Sequence, residues 1–474
     1  MKFAIIGVGY TGSTLFSKLE SILNHATTHI AIDLYDRTRE VGAGLAYQKD
    51  VGTNILNRPA KAMYMNNKHD FLNWAISSKH ENSGVTPESF LQRSIFGEFL
   101  KEKLNENIDR YRAMGCHILK VQHQVEEIKK IGNGWCVKAG SQSRHYDAVF
   151  LCTGVSVEAD PYQLADTPGY QASPYPIQKL GALKGKIGIL GCRLTAYDVA
   201  MGLDYSVVRH AKMLSRTSDR PRPVKRYYDV ELKYLSADNI KEFTRDRETI
   251  TLESVVDLIN QELQHQGVCK TLPQLIMSKQ QDNSELGDLV TSILATANCS
   301  MSILWQKLTN HSKSHLMNTV QNRWANMRVP ISIQNHIAIE KLIARGKVSH
   351  SKGIRNVEYI YGKYHVKTDD STHVFDYIIN ATGIRRSLDR NNPVLRDLLR
   401  RKLAVENQYG GIKVCSKTCC VVSDMGQNQL GLYALGQITC GDFYMVNNID
   451  VINNQVTKVV SGIQQAISKV NICL

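Results

Sequence analysis

The stretch Lys2–Leu23, KFAIIGVGYTGSTLFSKLESIL, decides how the rest of the chain is read. Lys2 to Ile6 forms an apolar run of the length of one buried strand. Gly7-Val8-Gly9-Tyr10-Thr11-Gly12 follows as a full G-x-G-x-x-G, and Leu15, Phe16, Leu19, Ile22 and Leu23 then recur at helical spacing. In such a strand–turn–helix unit the first glycine permits the turn and the second lets the backbone approach a pyrophosphate. The third lets helix and strand pack closely. The helix N-terminus adds unpaired N–H groups and the positive end of a dipole. A second strand, HIAIDLYDR, reaches Asp36 24 residues after Gly12, near the ~20 expected for an acid that holds a ribose.

The chain then repeats itself. YDAVFLCTG, ending in Thr153-Gly154, returns 229 residues later as FDYIINATG, ending in Thr382-Gly383. At the same offset Val125 matches Ile354, Ile128 matches Val357, Ile131 matches Ile360, Trp135 matches Tyr364 and Val137 matches Val366. So long a period excludes a solenoid or propeller and predicts two related sheet modules. The second module has its own strand–turn–helix in GKIGILGCRLTAYDVAMGL: a strand at Ile187 to Leu190, a turn at Gly191 and a helix from about Thr195. Here Arg193 stands where the middle glycine belongs, and Ala196 takes the last position. A side chain at the middle position either crowds a pyrophosphate or, as a guanidinium, grips it; the sequence leaves both readings open. The partner strand AKMLSR ends in Ser215-Arg216, a hydroxyl and a cation in place of an acid, which favours the 2′-phosphate of NADPH.

With 474 residues the chain has room for two or three domains, and 43% hydrophobic and 22% charged residues are those of a soluble globular protein. No apolar run reaches the ~18 residues of a membrane span. The apolar start is short, is broken by glycine, and reads as part of the fold rather than a signal peptide. Eleven scattered cysteines without any C-x-x-C argue against zinc, a disulfide framework and disulfide-reductase chemistry, and point to the cytoplasm. No metal site is expected. A net charge of +14 asks for an anionic partner, and SRTSDRPRPVKRYY holds Arg216, Arg220, Arg222, Lys225 and Arg226. No nucleic-acid motif accompanies it, so cofactor phosphates are the nearer explanation. Histidines such as His210 and His336 are isolated, and no catalytic side chain is identified.

FAIIGVGYTG, NILNRPAKAMYMNNKHDFLNWA, RSIFGEFL, DAVFLCTG, IGILGCRLTAYDVAMGL, MLSR, DYIINATG and LYALGQITCGDFYMV occur in the order typical of YdhS-like FAD/NAD(P)-binding proteins. The chain resembles this family, relatives of the flavin N-hydroxylases, over nearly its whole length, most weakly between about Tyr227 and Ser300. The resemblance implies FAD on the first module, at Gly7, Gly9, Thr11, Gly12, Asp36, Val125, Thr153, Gly154 and Gly436, with Asn57 and Arg58 near the isoalloxazine. It implies NAD(P)H on the second, whose candidate residues are Gly191, Arg193, Thr195, Ser215, Arg216, Thr382 and Gly383. The family usually has Gly-x-Gly-Leu-Thr at the second turn, so Arg193 is a departure.

The expected fold is α/β: two Rossmann-like dinucleotide-binding domains with a mainly helical insertion. Residues 1–157 and 384–474 would form the FAD domain, 158–226 and 327–383 the NAD(P)H domain, and 227–326, with Trp305 and Trp324 as anchors, a cap. The expected function is that of an NADPH-consuming, FAD-dependent monooxygenase hydroxylating a small polar molecule. The alternatives are a flavin reductase or dehydrogenase without oxygen insertion, and an FAD-holding binding or effector-like protein with a degenerate second site.

Overall fold

The computed structural model describes residues 1–23, 29–38, 41–77, 84–154, 160–217, 220–278, 285–384 and 386–472. The boundary expected at 157/158 lies outside them. The fold is α/β, built on two parallel sheets of one design. In the first, Lys2–Ile6 lies between Ala31–Tyr35 and Ala148–Leu151, parallel to both, with Phe3 beside Ile32 on one side and Ala148 on the other. His117–Val121 extends the sheet beyond Ala31–Tyr35. Asn428–Ala434 extends the opposite edge, so the C-terminal part of the chain completes the first sheet. In the second sheet Gly185–Leu190 takes the central place, between Val208–Ser215 and Tyr377–Asn380, and Val348–Lys352 lies beyond Val208–Ser215. These four strands stand in the order of Ala148–Leu151, Lys2–Ile6, Ala31–Tyr35 and His117–Val121 in the first sheet, which has six strands, one of them antiparallel, against five in the second.

The repeated phrase is a repeated structure. Val125–Ile131, Gly134–Ala139 and Gln142–Tyr146 make an antiparallel three-stranded sheet, as do Asn356–Ile360, Lys363–Lys367 and Thr372–Phe375. Ile128 pairs across strands with Val137, and their counterparts Val357 and Val366 pair likewise. Trp135 and Tyr364 are both fully buried, while Ile131 and Ile360 are both exposed. Alternate burial along each strand is what fixes this register, because a slip of one residue would turn Trp135 or Tyr364 to solvent.

Between the two halves of the second sheet, the chain forms seven α-helices from Ala237–Thr244 to Gln321–Arg328, among the described residues. They have their own apolar core, which Tyr444 and Met445 of the C-terminal segment join. Trp305 and Trp324 are both buried in it. Across the two sheet modules runs one buried ion pair: Arg93, on the helix Arg93–Ala113, donates to Asp198 at 2.9 Å, on the helix Leu194–Gly202. Tyr175 adds a 2.7 Å hydrogen bond to the same carboxylate oxygen. Burial works against the Arg93 cation, but Asp198 and Tyr175 beside it outweigh that and raise its pKa.

Candidate functional site

The first sheet reverses direction of growth between Lys2–Ile6 and Ala148–Leu151, and the crevice beyond the carboxyl ends of such strands is where open α/β sheets take ligands. Gly7 lies there with φ +90°, and a Cβ on it would stand 2.4 Å from the Cys152 carbonyl oxygen. A Cβ on Gly12 would stand 2.1 Å from the Gly7 carbonyl oxygen, so the helix Tyr10–Lys18 is seated directly on the turn. Gly9 is that helix's N-cap in extended backbone, and no side chain caps it. The first-turn N–H groups therefore face the crevice without a capping acceptor. Asp36 accepts the Val8 N–H at 2.9 Å through one oxygen and Thr38 through the other. The acid braces the phosphate turn as well as ending its strand.

Thr11 and Gly436, 425 residues apart, are neighbours: a Cβ on Gly436 would be 2.8 Å from the Thr11 hydroxyl. The Thr153 hydroxyl is buried with no hydrogen-bond partner, and Gly154 follows with φ +67°. Arg58 is tied to Asp450 at 2.9 Å, and Tyr64 donates to the other oxygen of Asp450 at 2.8 Å. The Asn57 carbonyl accepts from Tyr227 at 3.4 Å. Val125 is different: its side chain is in the core at the start of its strand, leaving only backbone to a ligand. Sequence reasoning missed Gly42 and Gly44. The Gly42 N–H donates to Val8 at 2.7 Å, and Gly44 approaches Gly9 so closely that a Cβ on either would meet the other's Cα at 3.0–3.3 Å. The G-x-G in VGAGLAY was the available signal.

The second crevice repeats the first. Gly191, with φ +128°, would place a Cβ 2.4 Å from the Ala381 carbonyl oxygen, and Ala381 is the repeat counterpart of Cys152. Arg193 is the helix N-cap in extended backbone, as Gly9 is, again without a side-chain cap. Thr195 is partly exposed in the first turn. Ser215 is buried at the end of its strand and Arg216 is exposed beside it, while their carbonyls hold Ile354 and Gly353. Unlike Thr153, the Thr382 hydroxyl turns back to Asn380 at 2.7 Å; Gly383 follows with φ +92°. Of the basic run, Arg222 is paired with buried Asp288 and Arg220 with Glu340, which takes two cations out of the free positive surface.

The helical unit holds a half-open cavity of about 260 Å³, lined mostly by apolar side chains including Ile259, Met301 and Trp324, with Tyr444 and Met445 as part of its wall. Trp305 stacks on Tyr444 at 4.8 Å and donates to the Gly441 carbonyl at 2.9 Å. Among the described residues no group of three metal-ligating side chains occurs, the ten cysteines are free, and no helix is long and apolar enough to cross a membrane.

Residues 4–156 match the FAD-NAD(P)-binding family. They are the residues of the first crevice, apart from the returning Gly436 segment. The architecture of the whole chain is similar to solved flavoproteins. L-lysine 6-monooxygenase from Pseudomonas syringae aligns over 98% of this chain and 99% of its own, with TM-score 0.60 and 14% identity. Ornithine hydroxylase from Pseudomonas aeruginosa aligns over 98% and 99%, with TM-score 0.57 and 11% identity. The cadaverine monooxygenase of desferrioxamine biosynthesis from Erwinia amylovora aligns over 97% and 94%, with TM-score 0.56 and 11% identity. No curated protein sequence matches the chain. At such identities the likeness establishes a two-dinucleotide flavoprotein fold, and FAD and NADP(H) are the cofactors that fold and family match support.

The residues fit FAD at the first crevice: close-packed glycines seat the turn on the strand ends, the helix N-terminus above it is uncapped, and the buried Thr153 hydroxyl at the end of the neighbouring strand is left without a partner.

Proposed function

We propose that the chain is an FAD-dependent, NADPH-consuming monooxygenase that hydroxylates a small molecule. The observation that carries this reading is one glycine turn made twice, Gly7 packed on Cys152 and Gly191 on Ala381, in two sheets that share the order of four strands. Two dinucleotide sites in one chain serve hydride transfer from one cofactor to the other. Bound FAD supplies the hydride acceptance and the oxygen chemistry, and the protein supplies binding and orientation. Gly9 and the helix Tyr10–Lys18 receive the pyrophosphate, Asp36 faces the ribose, and Thr11, Thr153 and Gly436 close around the crossing between modules. Arg216 meets the 2′-phosphate of NADPH from the exposed end of its strand. The reaction takes NADPH, O₂, a proton and the substrate, and releases NADP⁺, water and the hydroxylated product. YdhS-like motifs and the full-length likeness to three amine and amino-acid hydroxylases support this order of steps. The apolar cavity gives the substrate room for a hydrocarbon part.

The test is steady-state kinetics with oxygen uptake and product analysis. NADPH should be oxidised in preference to NADH, and Arg216→Ala should raise the KM for NADPH while leaving NADH nearly unchanged. Equal losses with both cofactors would remove Arg216 from the 2′-phosphate site. A second reading, a flavin-holding protein with a dead second site, is favoured by Arg193 at the N-cap and by Thr382 being bound within its own chain. It predicts no NADPH oxidation at all.

A further inference from the structure

The half-open cavity of the helical unit has a wall of one chemistry and a mouth of another. Val255, Ile259, Met301 and Leu304 line it from buried positions. Two aromatic residues of the wall have their polar atoms engaged elsewhere. The Tyr444 hydroxyl donates to Gln321 at 2.7 Å, and the Trp305 N–H donates to the Gly441 carbonyl at 2.9 Å. An apolar cavity of about 150 Å³ stays dry and takes up benzene. At about 260 Å³, and with a wall that offers water few partners, this one has room for a longer hydrocarbon. Polar side chains enter at the opening. Thr319 and Arg323, on the continuous run of Leu316–Val320 and Gln321–Arg328, both line the cavity and are both exposed. Met277, at the end of the helix Leu272–Met277, also lines it and is 74% exposed, so the mouth is rimmed by these two elements. Among the described residues Arg323 is the single charged residue of the lining, and it makes no hydrogen bond or ion pair.

The wall is also tied to the first module. Tyr444 and Met445 are carried by the segment that starts at Gly436, whose N–H donates to Gln455 at 2.9 Å and whose carbonyl accepts the Thr439 hydroxyl at 2.7 Å. Buried Met445 has φ +67°, a left-handed conformation that a residue other than glycine keeps only where its surroundings impose it. We propose that this cavity binds a medium-chain carboxylic acid, its hydrocarbon chain buried among the helices and its carboxylate at the mouth against Arg323. Burial of the chain drives binding, and the one cation, opposite in sign to the carboxylate and unopposed by any acid in the lining, sets which end enters last. A neutral or cationic chain of equal length gains the same burial without the charge. As a binding site this stands without the monooxygenase reading; as the place that holds the substrate it rests on that reading.

The experiment is calorimetric titration of the full-length, FAD-loaded protein with the straight-chain acids from hexanoate to dodecanoate, and with octanol and octylammonium as chains equal in length to octanoate. Affinity should rise about fourfold per added methylene, the factor for burying one CH₂, and level off once the cavity is full. Octanoate should bind more tightly than octanol, and octanol more tightly than octylammonium. Arg323→Gln, at an exposed position, should weaken octanoate about two- to fivefold, the range of an exposed ion pair, and leave octanol unchanged. Val256→Phe, at a part-buried lining position on the helix Leu252–His265, should narrow the cavity and weaken all three; its FAD content and melting temperature check that it folds. Undecanoate tipped with bromine should quench tryptophan fluorescence, because Trp305 and Trp324 line the cavity, and octanoate should reverse the quenching. No binding of any acid, an affinity indifferent to chain length, octylammonium binding as tightly as octanoate, or Val256→Phe binding as wild type does would each overturn the proposal. Oxygen uptake with NADPH separates the two readings. Protein that binds the acids but never oxidises NADPH keeps this site and loses the monooxygenase, and active enzyme that binds no acid does the reverse.

Discussion

A Cβ at Gly12 would collide with the Gly7 carbonyl oxygen at 2.1 Å, whereas one at Gly9 would meet only the Gly44 Cα, at 3.3 Å. The two glycines therefore do different work. Gly12 is required by the fold, and Gly9 by what approaches the fold. Gly9→Val should abolish FAD retention with a modest loss of apoprotein stability, since the backbone there is extended and open to any residue. Gly12→Ala should lose FAD and also lower the apoprotein melting temperature further than Gly9→Val does. Comparing flavin stoichiometry and apoprotein melting for the pair checks this; a Gly9→Val protein with a full complement of FAD would remove the turn from the site. Residues in this motif were legible because its meaning is local: strand, turn and helix lie within 20 residues. Gly44 was not, because its need for a missing side chain comes from packing against Gly9 across the crevice.

At the scale of elements, the repeat was readable because burial alternates along paired strands, so Ile128 with Val137 and Val357 with Val366 left the same apolar mark twice. Contacts between unlike elements leave no such periodic mark. The Arg93–Asp198 pair, joining a helix of each module, had no signal in either helix's sequence. With side chains 20% and 3% exposed, it is a buried pair, and breaking one partner leaves an uncompensated charge. Asp198→Ala should destabilise by on the order of 3 kcal/mol, while Arg93→Met with Asp198→Leu should recover much of the loss. Denaturant melts of the two variants and wild type check this; a double variant no better than Asp198→Ala would show that the pair's partners, rather than its charges, matter.

The whole molecule divides by how far each part depends on distant sequence. Both sheet modules follow from motifs placed along the chain, and the return of the C-terminal segment from the family resemblance, whereas the strand order comes from the structure. The helical unit gave only its helical pattern and two buried tryptophans. Its cavity is assembled from four of its α-helices and the π-helical segment Leu316–Val320, with Tyr444 and Met445 in its wall, which no local pattern ties together. Everything proposed about function rests on the first crevice holding FAD. The most direct measurement is the absorption spectrum of the purified protein, with the flavin then released by heat and identified, before and after anaerobic NADPH. The expected result is an oxidised-flavin spectrum, FAD as the released species at one per chain, and bleaching by NADPH. FMN in place of FAD, or no flavin even after reconstitution with FAD, would contradict it.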